Sequence, residues 1–112
     1  MRFRRALDRG NVTEALSAAS ELQFVSLAEA FELTLLLADR VPEKYERAAV
    51  RWHLRFAQEV PHVDLRENLA VLALLAAIPA NRLAAAALAE LLSRRRSCER
   101  IAEALVRWSR AA

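Results

Sequence analysis

A chain of 112 residues that is 55% hydrophobic is long enough to bury one sizeable core and too short for two. Its single glycine excludes glycine-rich phosphate loops and dinucleotide-binding fingerprints, and its single cysteine excludes an internal disulfide. Alanine and leucine dominate, and no stretch alternates polar and apolar residues. The composition therefore predicts one all-α domain over residues 1–112, without strands.

The net charge of +3 is unevenly distributed along the chain. Residues 1–10 carry +3 and residues 94–112 carry +4, whereas residues 11–93 carry −4. Basic ends around an acidic middle suit a polyanionic partner, or they pair with acidic residues of the same fold or of a second copy. Sixteen of the 17 basic residues are arginine, so the codon usage of a GC-rich genome competes with phosphate binding as the explanation.

Capping residues mark the first helix boundaries. Residues 1–9 predict a first helix that is closed by Gly10 as a C-cap. Asn11 and Ser26 each precede a helical pattern and each has a glutamate three residues later, which is the capping-box arrangement. The helix after Ser26 carries apolar residues over so wide an arc that we expect it to lie at the centre of the domain.

Prolines delimit the next two helices. Pro42 is typical of the first turn of a helix, and that helix is expected to end before Pro61. Asp64, with Glu67 three residues later, predicts the N-cap of a fifth helix that runs to Pro79.

Residues 80–93 predict a sixth helix, and Ser97 is expected to open the last one. Every connection is short, so neighbouring helices should lie antiparallel, as successive hairpins in a solenoid-like stack or a compact bundle of six or seven helices. The last helix carries Ile101, Leu105 and Trp108 on one stripe. We expect this stripe to be docked, preferably within its own chain and otherwise across a dimer.

The segment RALDRGNVTEAL, residues 5–16, resembles the turn and helix of tetratricopeptide-like repeats, which contain a G-N-x-x-E-A-L pattern. The resemblance covers about a dozen residues and lacks the Trp-Leu-Gly-Tyr spacing of the family. It implies stacked helical hairpins and no ligand. An internal match at an offset of 38 residues places Leu27 on Leu65 and Glu29 on Glu67, although an alanine- and leucine-rich chain produces such matches easily.

The stretch RWHLRFAQEV, residues 51–60, interleaves arginines with aromatic rings, as some nucleic-acid-binding proteins do. On a helical wheel Tyr45, Trp52 and Phe56 fall on one face, and the basic residues form a stripe on the opposite side. A base-stacking platform needs its rings beside the phosphate-binding groups, so we interpret the aromatic residues as core. The basic stripe is interpreted as a solvated face, with a partner surface as the alternative.

A partner or a phosphate group would be contacted by this basic stripe and by a run of three arginines before the last helix. The run is also explained as a solvated turn that is stabilised by the carbonyl end of the preceding helix. The candidate partner or phosphate surface comprises Arg40, Lys44, Arg47, Arg51, Arg55, Arg94, Arg95 and Arg96.

Residues with catalytic or metal-binding chemistry are sparse. His53, Glu59, His62 and Asp64 are the one cluster of metal-ligand types, but their spacing matches no compact metal site. Cys98 lies on the apolar stripe of the last helix and is interpreted as a small core residue. No metal, no cofactor and no enzymatic activity are therefore predicted.

These patterns favour a non-enzymatic helical scaffold or protein–protein interaction domain, with a protein partner or a second copy as the expected ligand. The alternative is a nucleic-acid-binding accessory protein that uses its arginine-rich surfaces. The lone cysteine and the absence of a signal peptide predict a cytoplasmic location. A membrane is not expected as a partner, because the most apolar run, residues 69–78, is too short to span a bilayer.

Overall fold

The computed structural model describes residues 2–111, and every regular element in that range is helical. The predicted all-α class is confirmed, with seven α-helices in a compact arrangement among the described residues. Short 3-10 turns precede α4, α6 and α7. The helices are α1 (Arg2–Arg9), α2 (Val12–Glu21), α3 (Leu27–Arg40), α4 (Tyr45–Glu59), α5 (Leu65–Ala77), α6 (Arg82–Ser93) and α7 (Glu99–Arg110), and the 3-10 turns are Pro42–Lys44, Ile78–Ala80 and Arg96–Cys98.

The three predicted N-caps are confirmed. The side chains of Asn11, Ser26 and Asp64 each accept a hydrogen bond from the backbone N–H three residues later, at 3.0, 3.1 and 2.8 Å. Each cap satisfies one of the N–H groups that the first turn of a helix leaves unpaired. These local bonds fix where α2, α3 and α5 begin.

Gly10 ends α1 as predicted. Its φ of 70° lies in the left-handed region, where a glycine meets no steric penalty. The N–H of Gly10 donates to the carbonyl of Leu7 at 3.1 Å, and the N–H of Asn11 donates to that of Ala6 at 2.9 Å. This pair of bonds is a Schellman C-cap, which turns the chain directly into α2.

The expectation that Ser97 opens the last helix is wrong. The chain first makes the 3-10 turn Arg96–Cys98, closed by the N–H of Cys98 donating to the carbonyl of Arg95 at 3.0 Å, and α7 begins at Glu99. Ser97 therefore lies inside the turn, where its hydroxyl is 3.9 Å from the Cys98 Sγ and caps nothing.

The main core forms around Trp52 of α4, which is buried as the helical wheel predicts. Its ring lies 4.5 Å from that of Phe31 and 5.3 Å from that of Phe56, measured between centroids. Its indole N–H donates to the carbonyl of Leu27 at 2.9 Å, so the one polar atom of the ring is satisfied. The bond ties α4 to the start of α3, and the prediction that α3 is central is confirmed by its packing against α1, α2, α4 and α7.

A second, smaller core joins α1 and α2. Phe3 and Ala6 pack against Ala15 and Ala18, and Leu33 of α3 covers this cluster from the other side. Because α3 contributes to both cores, it connects the first hairpin to the rest of the domain.

The last helix is docked within its own chain, as expected. Ile101 and Leu105 are buried between α6 and α3. The indole N–H of Trp108 donates to Asp39 at 2.8 Å, and the Arg82 guanidinium lies 3.5 Å from the centroid of the same ring. Through Trp108, the end of α7 is thus held by the end of α3 and the start of α6.

Candidate interaction surface

The outer face of α5 exposes an unusual amount of apolar surface. Only Val71 and Leu75 of this helix are buried, although it is apolar on nearly all sides. A helix of that kind is normally enclosed by protein or membrane. Its solvent-exposed residues are Leu65, Leu69, Leu72, Ala73, Ala76 and Ala77, with Arg66 as the one charged member.

The exposed apolar surface continues onto α4. Val50 and Leu54 lie one helical turn apart on α4, and each is 58% exposed. Val50 and Leu72 line the same groove of about 410 Å³ between the two helices, with Tyr45 and Leu75 beneath them. We call the exposed residues of α5 together with Val50 and Leu54 the α4–α5 face.

The orientation of this hairpin is set by buried contacts. The hydroxyl of Tyr45, at the start of α4, donates to the carbonyl of Leu75 near the end of α5 at 2.7 Å. Near the other end of the hairpin, the His53 ring pairs with the side chain of Asn68 at 2.8 Å. The two helices are therefore antiparallel, and the start of α4 lies beside the end of α5.

The sequence shows the apolar residues of the α4–α5 face, but helical periodicity alone does not predict that they are exposed. The wheel places Val50 and Leu54 on a flank of α4, and α5 is apolar on nearly all sides. Neither pattern says which apolar residues remain uncovered once α4, α5 and α6 have packed. That outcome depends on the number of neighbouring helices, and in residues 2–111 no helix lies over the outer side of α5.

The eight residues of the predicted basic surface are spread along α4 and beyond both of its ends. Arg40 and Lys44 lie just before α4, whereas Arg94 to Arg96 lie at the turn that contacts Pro61 just after it. The 15 residues of α4 separate these groups by about 22 Å. Lys44, Arg47 and Arg51 are exposed along this length and make no ion pair within the described residues.

Two of the eight predicted residues have structural partners. Arg55 donates to Glu59 at 2.6 Å, and its guanidinium lies 5.5 Å from the centre of the exposed Phe24 ring. Arg95 lies at the α6–α7 turn and donates to Glu67 of α5 at 2.9 Å and to the carbonyls of Pro61 and His62 at 2.8 and 3.0 Å. Arg95 thus acts as a clamp on the α4–α5 turn.

The contacts of Arg95 predict a measurable contribution to stability. His62 has a φ of 61°, a conformation that costs energy outside glycine, and Arg95 holds its carbonyl. We expect Arg95→Ala to lower the free energy of unfolding by about 1–3 kcal/mol, since charge-assisted bonds in a half-buried site are lost. Urea denaturation measures this difference.

The neighbouring exposed arginine provides the matched control. Arg96→Ala removes the same type of side chain from the same turn, where it has no ion pair within residues 2–111. Its free energy of unfolding should stay within about 0.5 kcal/mol of the parent. Equal losses for Arg95→Ala and Arg96→Ala would contradict the assignment of Arg95 as a clamp.

The basic ends of the chain pair with its acidic middle. Arg2 binds Glu14 and Glu21, Arg4 binds Glu32 at 2.7 Å, and Arg107 lies 3.7 Å from the same carboxylate. The hydrogen bond with Glu32 is the main cause that raises the pKa of the Arg4 guanidinium. With Arg95, four of the ten arginines in residues 1–10 and 94–112 pair with carboxylates of the acidic middle in the described structure.

The residues considered for catalysis or metal binding have other contacts. Asp64 caps α5, His62 lies in the α4–α5 turn, and His53 pairs with Asn68. Within residues 2–111 no group of three His, Cys, Asp or Glu side chains has the arrangement that a metal ion needs. Cys98 is buried, as predicted, and burial raises the pKa of its thiol.

Comparison of the chain with protein-family models, with curated proteins and with solved structures gives no match. In the part of the chain that the structure describes, no helix combines the length and apolarity needed to cross a bilayer. The α4–α5 face is accordingly interpreted from its own residues.

Proposed function

We propose that this domain is a non-enzymatic protein–protein interaction module, with the α4–α5 face as its contact surface. The single observation that carries the proposal is the outer side of α5, on which three leucines and three alanines are exposed beside one arginine. Single exposed leucines are ordinary, but a contiguous apolar face on two helices is typical of a binding surface.

The energetics of this face support association. Leu65 is 76% exposed and Leu69 is 59% exposed. Fully burying a leucine side chain contributes about 1.5–3 kcal/mol, so several such residues offset the entropy lost when two proteins associate. The exposed Arg47 and Arg51 lie on the outer side of α4 and provide the polar rim that protein interfaces commonly have.

In-cell photo-crosslinking tests the proposal. A photo-crosslinking amino acid placed at position 69 should form adducts with protein, either with a second copy or with another chain. The same amino acid at position 24 should form none, although Phe24 is also strongly exposed. Leu72→Glu should abolish the adducts at position 69, because a charge is then placed in the contact. Equal adducts at positions 69 and 24 would contradict the proposal.

The second candidate function is nucleic-acid binding, favoured by Lys44, Arg47 and Arg51, which are exposed and make no ion pair within residues 2–111. Because the aromatic residues of α4 are buried, these cations lack a base-stacking platform. We therefore expect sequence-indifferent binding with a dissociation constant of about 1 μM or weaker at physiological salt, measured by fluorescence anisotropy. Nanomolar, sequence-selective binding would contradict the ranking of the two functions.

A further inference from the structure

We infer that the α4–α5 face binds the same face of a second copy of this chain, with the two α5 helices antiparallel. This inference rests on the proposed function and names the partner. It follows from how shape and charge are distributed along α5.

Apolar side chains of different size occupy the two halves of the outer face. Leu65 and Leu69 project from the first half of α5, whereas Ala73, Ala76 and Ala77 leave a shallow surface on the second half. Leu72 lies between them and is 37% exposed. Large and small residues on one face form protrusions and recesses that an identical face can fill.

The antiparallel arrangement is the one that matches these shapes. If the two α5 helices run in opposite directions, the leucines of each copy lie over the alanines of the other. A parallel arrangement would place leucine against leucine at one end and alanine against alanine at the other, which leaves a gap. A two-fold axis that crosses the middle of α5, near Val71, would generate the antiparallel contact. Each leucine–alanine contact would then occur two times, once on each side of the axis.

The charges at the ends of the face favour the same arrangement. Arg66 is exposed in the first turn of α5. The opposite end of the face carries the carbonyl end of α5, which finishes at Ala77. In the antiparallel dimer Arg66 of each copy approaches the carbonyl end of α5 of the other copy, which attracts a cation.

The α4–α5 face extends along the whole of α5. The 13 residues of α5 extend for about 20 Å, and Val50 and Leu54 widen the contact onto α4. Two such hairpins packed together form a four-helix arrangement, in which the outer side of α5 becomes core.

Sedimentation equilibrium on the intact chain tests the inference. The expected result is a reversible dimer with a dissociation constant of about 1 μM or tighter. Leu69→Glu should weaken the dimer by about thirtyfold or more, because a carboxylate then lies in the middle of the contact. Circular dichroism should show an unchanged monomer fold for this variant, since Leu69 is exposed in the monomer.

Phe24→Glu is the matched control, because it introduces the same charge at an exposed apolar residue outside the α4–α5 face. Its dissociation constant should stay within about twofold of the parent. A monomer at every concentration, or a dimer that Leu69→Glu leaves unchanged, overturns the inference. If a monomeric chain still forms adducts with other proteins at position 69, the proposed function stands and only the identity of the partner is wrong.

Disulfide cross-linking tests the orientation. Chains with Leu65→Cys and chains with Ala76→Cys should form a disulfide when mixed and oxidised, whereas neither should cross-link with itself. The native thiol does not interfere, since Cys98 is buried. Self-cross-linking of the Leu65→Cys chain would show parallel pairing and would overturn the antiparallel arrangement.

Discussion

Replacing Trp52 by alanine should lower the free energy of unfolding by about 3–5 kcal/mol, which is the usual loss for a buried large aromatic side chain. The ring is 2% exposed and contacts the rings of Phe31 and Phe56, so its removal leaves a cavity in the main core. The bond from its indole N–H to the Leu27 carbonyl is lost as well, which leaves that carbonyl without this partner. Urea denaturation followed by circular dichroism measures the loss.

Leu54→Ala is the control for this prediction, because Leu54 lies on the same helix but is exposed in the monomer. Measured at a concentration where the chain is monomeric, its unfolding free energy should change by about 0.5 kcal/mol or less. A Trp52→Ala loss no larger than the Leu54→Ala loss would contradict the placement of Trp52 in the core.

Removing residues 97–112 should have an equally large effect. This deletion removes α7, whose Ile101 and Leu105 are buried against α6 and α3. Leu88 and Leu92 of α6, now fully buried in the same cluster, would become exposed to solvent. We expect aggregation or a large fall in stability, seen by light scattering and thermal unfolding beside the intact chain.

A point variant separates the loss of packing from the loss of chain length. Leu105→Ala keeps α7 in place and should lower the free energy of unfolding by about 2–5 kcal/mol, because the residue is fully buried. A truncated chain that remains soluble and as stable as the intact chain would contradict the docking of α7.

Local signals in the sequence account for most of the fold. Asn11, Ser26 and Asp64 cap helices as predicted, because a cap is a bond between residues three positions apart and needs no distant partner. Gly10 ends α1 for a similar local reason. The prediction that Ser97 opens the last helix was wrong. Whether a residue caps a helix or lies in a 3-10 turn depends on how the neighbouring helices α6 and α7 pack, and a short sequence pattern carries no information about that packing.

The candidate surface was less predictable, because exposure is a property of the packed molecule. Arg94, Arg95 and Arg96 are three consecutive arginines that the sequence alone does not distinguish. Of the three, only Arg95 binds Glu67, which precedes it by 28 residues in the chain. In the same way, Leu69 and Leu75 both belong to the apolar run of residues 69–78, yet Leu69 is exposed and Leu75 is buried. In both comparisons, the residues that pack nearby in the folded chain determine which side chain is paired or buried.

The central claim, that the outer face of α5 is covered by protein in the working molecule, is tested most directly by the labelling rate of a cysteine at position 69. Leu69→Cys and the control Phe24→Cys are each treated with a membrane-permeant maleimide, in cells and as dilute purified protein. Cys98 is buried and contributes little background. We expect Leu69→Cys to react several times more slowly in cells than in dilute solution, relative to Phe24→Cys. An equal rate ratio in both conditions would show that the face is open to solvent and would contradict the account.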